Sequence, residues 1–413
     1  MDEKAISVLV VGFNTRPLAY SLNEAGYDVY AVDFFGDLDL HPCVKDSIVV
    51  IKKLGSNYST MKLNYAKYLA SFTQELLQRH PEINYIIIGS GLDDAFEERK
   101  SILNYLARVN QEISSLNNDI QTFKKARDLD LLHQILTSNG YRVPKTRNFE
   151  AIQDIESEFK YPIILKKRTG SGGINVLKIN SDFELNLHLQ QDPDLDMSNW
   201  MIQEYIDGLP VSCTTISNGE ECEVLSINRQ IIGFDFVNAP KEFMYCGNIV
   251  PANVLPKERD LLIEISILLT RILKLKGING FDFVLRNNYP YFMEVNPRIP
   301  GSIRVSEEAM QLNLLELHVL SFKKSKWQFI INSIKSAPFN VFSTKLIFFA
   351  PKKISKSLIN KINELENIHD KSEPKEDKDI GEPVCTILYN DHDFSSSYFG
   401  ALKIVDKIKK IIE

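Results

Sequence analysis

The sequence predicts an α/β protein: an N-terminal parallel sheet covered by helices, a two-part and mostly antiparallel α+β region, and a small C-terminal α+β segment. Three observations carry this. Apolar runs of strand length alternate with helical stretches through the first 120 residues, the order of a parallel sheet. From residue 161 onward, strand-like runs succeed one another through turn signals at Asp207-Gly208, Asn218-Gly219 and Asn287-Asn288, the order of antiparallel pairing. Beyond about residue 325 the character changes, and 351–381 is rich in Lys, Glu, Asp and Ser. The implied divisions are 1–121, 122–195, 196–325 and 326–413.

Taken in order, Ile6–Gly12 reads as a buried strand, Pro17–Ala25 as a helix stopped by Gly26, and Asp28–Asp33 as a second strand. Tyr58–Arg79 reads as a long amphipathic helix, and Asn84–Ile88 as a strand ending in Gly89-Ser90-Gly91. Ligands of parallel sheets bind beyond the carboxyl ends of the strands, so Gly12–Arg16 and Gly89–Asp93 share one rim. Thr122–Asn139 reads as a helix stopped at Asn139-Gly140. Strand Tyr161–Lys167, a glycine loop at 169–173, strand Ile174–Ile179 and helix Asp182–Gln190 make a smaller unit. Trp200–Ile206 opens the antiparallel region, which helix Lys257–Lys276 interrupts. Residues 351–381 read as a solvated helix and loop, Val384–Tyr389 as a strand and Tyr398–Ile412 as the closing helix.

With 413 residues and 44% hydrophobic content, the chain can bury more than one core; domains of roughly 100–200 residues give two to four units. A net charge of −6 argues against a general nucleic-acid binder, which normally carries a basic excess. No apolar stretch reaches the roughly 18 residues of a membrane span, and the first apolar run is too short for a secretory core. The five cysteines include no C-x-x-C pair and fit neither a zinc site nor a disulfide framework. They read as reduced thiols of a cytoplasmic protein.

Residues 281–302 are the most informative stretch. Two apolar strands joined by a short polar turn bring Asp282 opposite Glu294, Asn296 and Arg298, and the two-residue strand period puts these last three on one face. Carboxylate and amide oxygens suit Mg²⁺, which also keeps phosphate oxygens in its shell. The glycines of Lys166-Lys167-Arg168-Thr169-Gly170-Ser171-Gly172-Gly173 let backbone N–H groups approach a phosphate closely, with a lysine beside them as a point charge. Taken alone, this segment reads equally well as a charged β-hairpin with a flexible tip. It is no Walker A loop, because no helix opens on a Gly-Lys-Ser/Thr. Trp200–Gly208 reads either as a buried strand or as an edge whose peptide groups pair with an adenine.

Flap, edge and floor follow in the order of the ATP-grasp superfamily of ATP-dependent ligases, which the chain resembles from about Lys124 to Ser302. The matching words are Tyr161–Lys167 with Gly170–Gly173, Gln203–Gly208, and Glu294-Val-Asn-Pro-Arg298. Gly12–Arg16, Ala31–Asp37 and Gly381–Thr386 are similar to a poorly characterised archaeal and bacterial carboligase-like branch. The resemblance implies that Lys166 contacts the α/β-phosphates and that Lys124 or Lys125 is the earlier nucleotide lysine. It also implies a flap of Gly170, Ser171, Gly172 and Gly173 and an adenine hinge of Glu204, Tyr205 and Ile206. Asp282, Glu294 and Asn296 then hold Mg²⁺ (or Mn²⁺), and Arg298 faces the transferred phosphoryl group or the acyl substrate. Many relatives hold the ribose with an acidic residue after the hinge; Leu209-Pro210 stand there instead.

Two readings stand side by side for Arg16, Ser90, Asp93, Asn248 and Arg304: substrate contacts, or ordinary rim, loop and helix residues. The expected activity is ATP- and Mg²⁺-dependent joining of a small-molecule carboxylate to an amine through an acyl phosphate. The alternatives are a biotin-carboxylase-like enzyme using bicarbonate and a non-catalytic nucleotide-binding protein. The expected partners are the two small-molecule substrates and, as is common in the family, a second copy in a homodimer. No nucleic acid or membrane partner is expected. An NAD-dependent dehydrogenase would require a dinucleotide glycine fingerprint, which Gly12–Arg16 does not supply.

Overall fold

Buried apolar strands pair in parallel at the N-terminus: β1 (Ser7–Gly12), β2 (Asp28–Asp33), β3 (Asp46–Val49), β4 (Tyr85–Ile88) and β5 (Ser114–Ser115), in the order β3-β2-β1-β4-β5. The computed structural model describes residues 6–56, 61, 64–109, 113–149, 155–170, 172–191, 197–374 and 377–413. Because β1 is buried on both faces, alternate residues feed two cores. Leu9 and Val11 pack with Leu69 and Leu76 of the helix Tyr65–Arg79. Val8 and Val10 share a core with Ile278, Ile303 and Leu314 from much later in the chain. That shared core fixes the rim of the parallel sheet against the rest of the molecule.

A four-stranded sheet of order β6-β9-β7-β8 forms the lid, from β6 (Thr146–Asn148), β7 (Ile163–Lys167), β8 (Val176–Ile179) and β9 (Trp200–Glu204). Strand β9 belongs to the lid sheet because its alternating apolar residues, Trp200 and Ile202, enter the same small core as Ile163 and Leu165. The structural break therefore follows Glu204 and not residue 195. The large sheet runs β14-β13-β10-β11-β12-β15-β17-β16. Its strands are β10 (Leu209–Asn218), β11 (Cys222–Ile232), β12 (Tyr245–Val250), β13 (Lys276–Arg286), β14 (Tyr289–Asn296), β15 (Phe342–Phe349), β16 (Ile368–His369) and β17 (Pro383–Asp391). The C-terminal strands extend this sheet and do not form one of their own.

The structure corrects the expected elements in several places. The stretch 122–139 is two helices, Ile120–Ala126 and Leu129–Ser138, because Asp128 caps the second by accepting from Leu131 N at 3.1 Å. Residues 57–60 lie outside the described residues, and the long helix is described over Tyr65–Arg79. The segment 351–381 is only partly solvated: helix Lys356–Asn363 buries Ile359 and Ile362. Further on, Asp370 is buried against Arg16, 2.8 Å from its Nε.

The Arg16–Asp370 pair ties the first helix to the last third of the chain, and Asp39 stands 3.5 Å from the same nitrogen. Burial alone would raise the Asp370 carboxyl, but the charges of Arg16 and Lys345 outweigh it and hold the group below the ordinary carboxylate range. Asp370 sits at φ 48°, a conformation asparagine tolerates well, so Asp370→Asn removes the charge without backbone conflict. Breaking a buried pair costs ~3–5 kcal/mol, so this variant is expected to melt well below the wild type at neutral pH. Since the folded carboxyl titrates below the unfolded one, its stabilisation is present above about pH 4 and is lost as pH falls. Melting curves of the two proteins should therefore converge in acid; a constant gap from neutral to acid pH would refute the assignment.

Candidate active site

The two-residue turn Asn287-Asn288 closes the β13–β14 hairpin with both residues at positive φ (51° and 59°), a geometry asparagine adopts readily. Regular pairing from Arg286↔Tyr289 through Phe283↔Phe292 would set Asp282 against Met293 and turn Glu294 to the other face. A bulge intervenes. The register shifts between Asp282 and Phe283, two residues of β14 oppose Asp282, and Asp282 pairs with Glu294. The bulge thus puts both carboxylates and Asn296 on one face.

Asn296 Nδ2 donates to Asp282 Oδ2 at 3.0 Å and to Glu294 Oε1 at 3.3 Å. Gln230 Nε2 donates to Asp282 Oδ1 at 2.9 Å. Burial and the adjacent Glu294 charge push the Asp282 carboxyl well above its usual range. The pair is hydrogen-bonded by amide N–H groups, with Arg127 4.0 Å from Glu294, and is short of positive charge, as a divalent-cation site is before its ion arrives. Among the described residues no third His, Cys, Asp or Glu joins them. The donor set fits Mg²⁺, which takes one or two carboxylates and completes its shell with phosphate and water oxygens. The Asn296 amide presents its nitrogen here; turned over, it would offer its oxygen.

Above this floor, a cavity of about 120 Å³ is lined by Lys166, Arg127, Gly170, Gly172 and Gly173 from one side and by Met293 and Glu294 from the other. Burial and the neighbouring Arg127 lower the Lys166 ammonium from its ordinary value, while Glu294 opposes the shift. The flap is seated: Arg127 Nη2 donates to Gly170 O at 2.7 Å, and Lys241 Nζ donates to Ile174 O at 2.8 Å. Gly173 lies so close to the next loop that a Cβ would stand 1.7 Å from Phe243 O. Ser171 lies outside the described residues.

Arg127 was not among the sequence candidates. It follows the Lys124-Lys125 pair at the corner between the two helices, and its other contacts are Asp94 Oδ1 at 2.9 Å and Glu294 Oε2 at 4.0 Å. Lys124 and Lys125 are exposed on the first helix and neither lines the cavity, whereas Arg127 does. The capping Asp128, which breaks the expected continuous helix, was the available signal. Arg127→Met is expected to weaken ATP binding ~10-fold or more, the order of a lost charge-assisted hydrogen bond. Titration with a fluorescent ATP analogue checks this.

The hinge candidates sit at the end of the lid sheet. Glu204 N donates to Lys145 O at 2.8 Å, so that peptide group is engaged within the protein. Tyr205 lies under Lys178 Nζ, 4.3 Å from the ring centre, and Ile206 is buried. Arg298 donates through Nε to Asp93 Oδ1 at 2.5 Å, and Asp93 is 3% exposed. Burial would raise the Asp93 carboxyl, but the Arg298 charge overrides this and lowers it. Asp93 therefore orients Arg298 from the rim of the parallel sheet and is not free for a substrate.

The remaining rim candidates separate. Ser90 is half-buried, and its carbonyl receives Phe13 N at 2.9 Å, so the two rim loops do meet. Arg16 is committed to Asp370 and Asp39 and does not open onto the rim. Arg304 pairs along its own helix with Glu307 and Glu308; helical spacing gives those partners priority over a role beside Arg298. Asn248 is buried and accepts from the Tyr245 hydroxyl. All five cysteines are free and buried, and no described helix is long and apolar enough to cross a membrane.

The ATP-grasp domain family matches residues 127–302. An uncharacterized protein of Methanocaldococcus jannaschii is 30% identical over 394 residues, covering 93% of this chain and 88% of its own length. Among solved structures, the L-amino acid ligase from Bacillus licheniformis superimposes with a TM-score of 0.66 at 15% identity, covering 98% of each chain. The N5-carboxyaminoimidazole synthetase from Staphylococcus aureus, complexed with ADP, does so with a TM-score of 0.67 at 17% identity, again covering 98% of each. At such identities the two superpositions speak for the fold alone. With the matched domain, the relative that runs nearly the length of the chain and the bulged carboxylate hairpin beneath a glycine flap, the chain belongs to the ATP-grasp family.

Proposed function

We propose that this protein is an ATP- and Mg²⁺-dependent ligase that activates a small-molecule carboxylate as an acyl phosphate and joins it to an amine. The observation that carries the reading is the Asp282–Glu294 pair with Asn296, lying beneath Lys166, Arg127 and the glycine flap. Asp282, Glu294 and Asn296 would hold Mg²⁺, which supplies charge neutralisation between the phosphates. Lys166 and Arg127 bind the nucleotide phosphates, with the N–H groups of Gly170, Gly172 and Gly173 covering them. Glu204, Tyr205 and Ile206 border the adenine.

Arg298, held by Asp93, faces the entering carboxylate. A carboxylate oxygen attacks the γ-phosphorus, the bond to the β,γ-bridging oxygen breaks and ADP leaves. The amine then adds to the acyl carbon, inorganic phosphate departs and the amine proton is lost. Two anions meet in the first step, so fixed positive groups aimed at the developing charge are the main source of acceleration. The seated flap keeps water from the acyl phosphate.

The reading places the protein in the cytoplasm, in keeping with its five free thiols. It includes a homodimer, the state named for the biotin carboxylase domain of the Hydrogenobacter thermophilus 2-oxoglutarate carboxylase. A second reading is carboxylation with bicarbonate as the acid, the anion named with the same biotin carboxylase domain. ADP release from MgATP is measured with pools of acids and amines, and again with labelled bicarbonate. Acid- and amine-dependent ADP release with an amide product supports ligation. Label retained in product supports carboxylation. Nucleotide binding with neither would leave only a binding protein.

A further inference from the structure

A second polar centre lies on the same face of the large sheet as the carboxylate pair. Gln230, which touches Asp282, is in register with Asn248 on β12, and Asn248 is in register with Lys345 on β15. Cross-strand partners share a face, and adjacent strands are roughly 4.8 Å apart, so Lys345 stands about 10 Å across the sheet from Gln230.

This centre offers more donors than acceptors. Lys345 is 7% exposed, and its ammonium has one hydrogen-bond acceptor among the described residues, Gly301 O at 2.9 Å. No carboxylate of the described residues lies within ion-pair distance of it; Asp370 acts on its charge from farther off and is itself bonded to Arg16. Asn248 is 1% exposed. Its oxygen is taken by the Tyr245 hydroxyl, which leaves Nδ2 buried with no acceptor. A buried ammonium and a buried amide N–H left unfilled are costly unless an acceptor arrives. Tyr245 links this centre to the catalytic one: Lys345 Nζ is 5.8 Å from its ring centre, and the Asp282 charge reaches its hydroxyl. The helix Ile303–Met310 starts beside Gly301 with no side-chain cap bond and no acidic residue in its first turn, so it adds only positive potential.

We infer that the acid substrate carries a second anionic group, which Lys345 and Asn248 hold while its reacting carboxylate faces Arg298. This rests on the ligase reading and narrows its substrate class to dianionic acids. A monoacid would leave Lys345 without an ion-paired anion and the Asn248 N–H without an acceptor. Either a carboxylate or a phosphonate satisfies donors of this kind.

The test is binding, read as thermal stabilisation of the full chain saturated with MgADP. Succinate, glutarate, adipate and suberate are compared with butyrate and hexanoate, and phosphonoacetate separates phosphonate from carboxylate preference. At least one dianion should stabilise the wild type where the matched monoacids do not. Lys345→Met and Asn248→Leu should each lose ~10-fold or more in affinity for it, and Lys345→Arg should recover part of the loss. The inference falls if monoacids bind as well as dianions, if no dianion binds while MgADP does, or if both variants retain wild-type affinity. Should one variant fail to fold, the other carries the comparison. If MgADP itself gives no stabilisation, the ligase reading falls, and that result is distinct from the others.

Discussion

Glu294→Gln is expected to reduce ADP release by ~10²–10³, or about 2.7–4 kcal/mol of transition-state stabilisation, with little change in melting temperature. The reason is local. The substitution keeps the shape of the side chain and its place opposite Asp282, but it halves the charge available to a divalent cation. Stability should hold because Glu294 is 40% exposed on its side chain and its nearest cation, Arg127, stands 4.0 Å away and retains Asp94. Removing Glu294 also relieves the Asp282 carboxyl of its like-charged neighbour, which offsets part of any loss. Steady-state turnover over a range of Mg²⁺ concentrations distinguishes the outcomes. Turnover equal to wild type at limiting Mg²⁺ would remove Glu294 from the metal set.

The second large effect is expected at the flap. In Gly173→Ala the new methyl carbon would stand 1.7 Å from Phe243 O, and the residue's φ of 77° is unfavourable for any side chain. A backbone carbonyl cannot swing aside as a side-chain tip can, so the flap must lift. A displacement of about 1 Å at a positioning element costs ~10²-fold in rate. A raised flap also admits water, so ADP release should become partly uncoupled from product. Gly172→Ala is the control: φ there is 67°, but nothing lies within 4 Å of the added carbon. That variant should carry backbone strain and far less loss of coupling. Equal coupling in both variants would show that the contact with the Phe243 loop is immaterial to closure.

Much of this was legible in the residues. The parallel sheet followed from strand–helix alternation, since a strand buried on both faces must be apolar throughout. The flap, floor and hinge lay in a recognisable order. What the sequence concealed depends on long-range contact. Arg16 looked like a rim residue until Asp370, 354 positions away, proved to be its partner. Asp93 was a candidate ligand until the fold set Arg298 against it. Lys345, in a stretch to which the sequence assigned neither an element nor a role, became visible only through its neighbours across the sheet. Arg127 was hidden for a local reason: a helical pattern reads straight through Ala126–Leu129 unless the capping power of Asp128 is weighed against it.

The extra residue in β14 has an implication for how such proteins lose activity. If β14 instead ran as an unbroken ladder with Met293 opposite Asp282, Glu294 would turn towards the opposite layer. Such a straightened hairpin would keep its Asn287-Asn288 corner and its cross-strand partners near the turn. A chain in that register would stay folded with one of the two acidic side chains turned away from the floor.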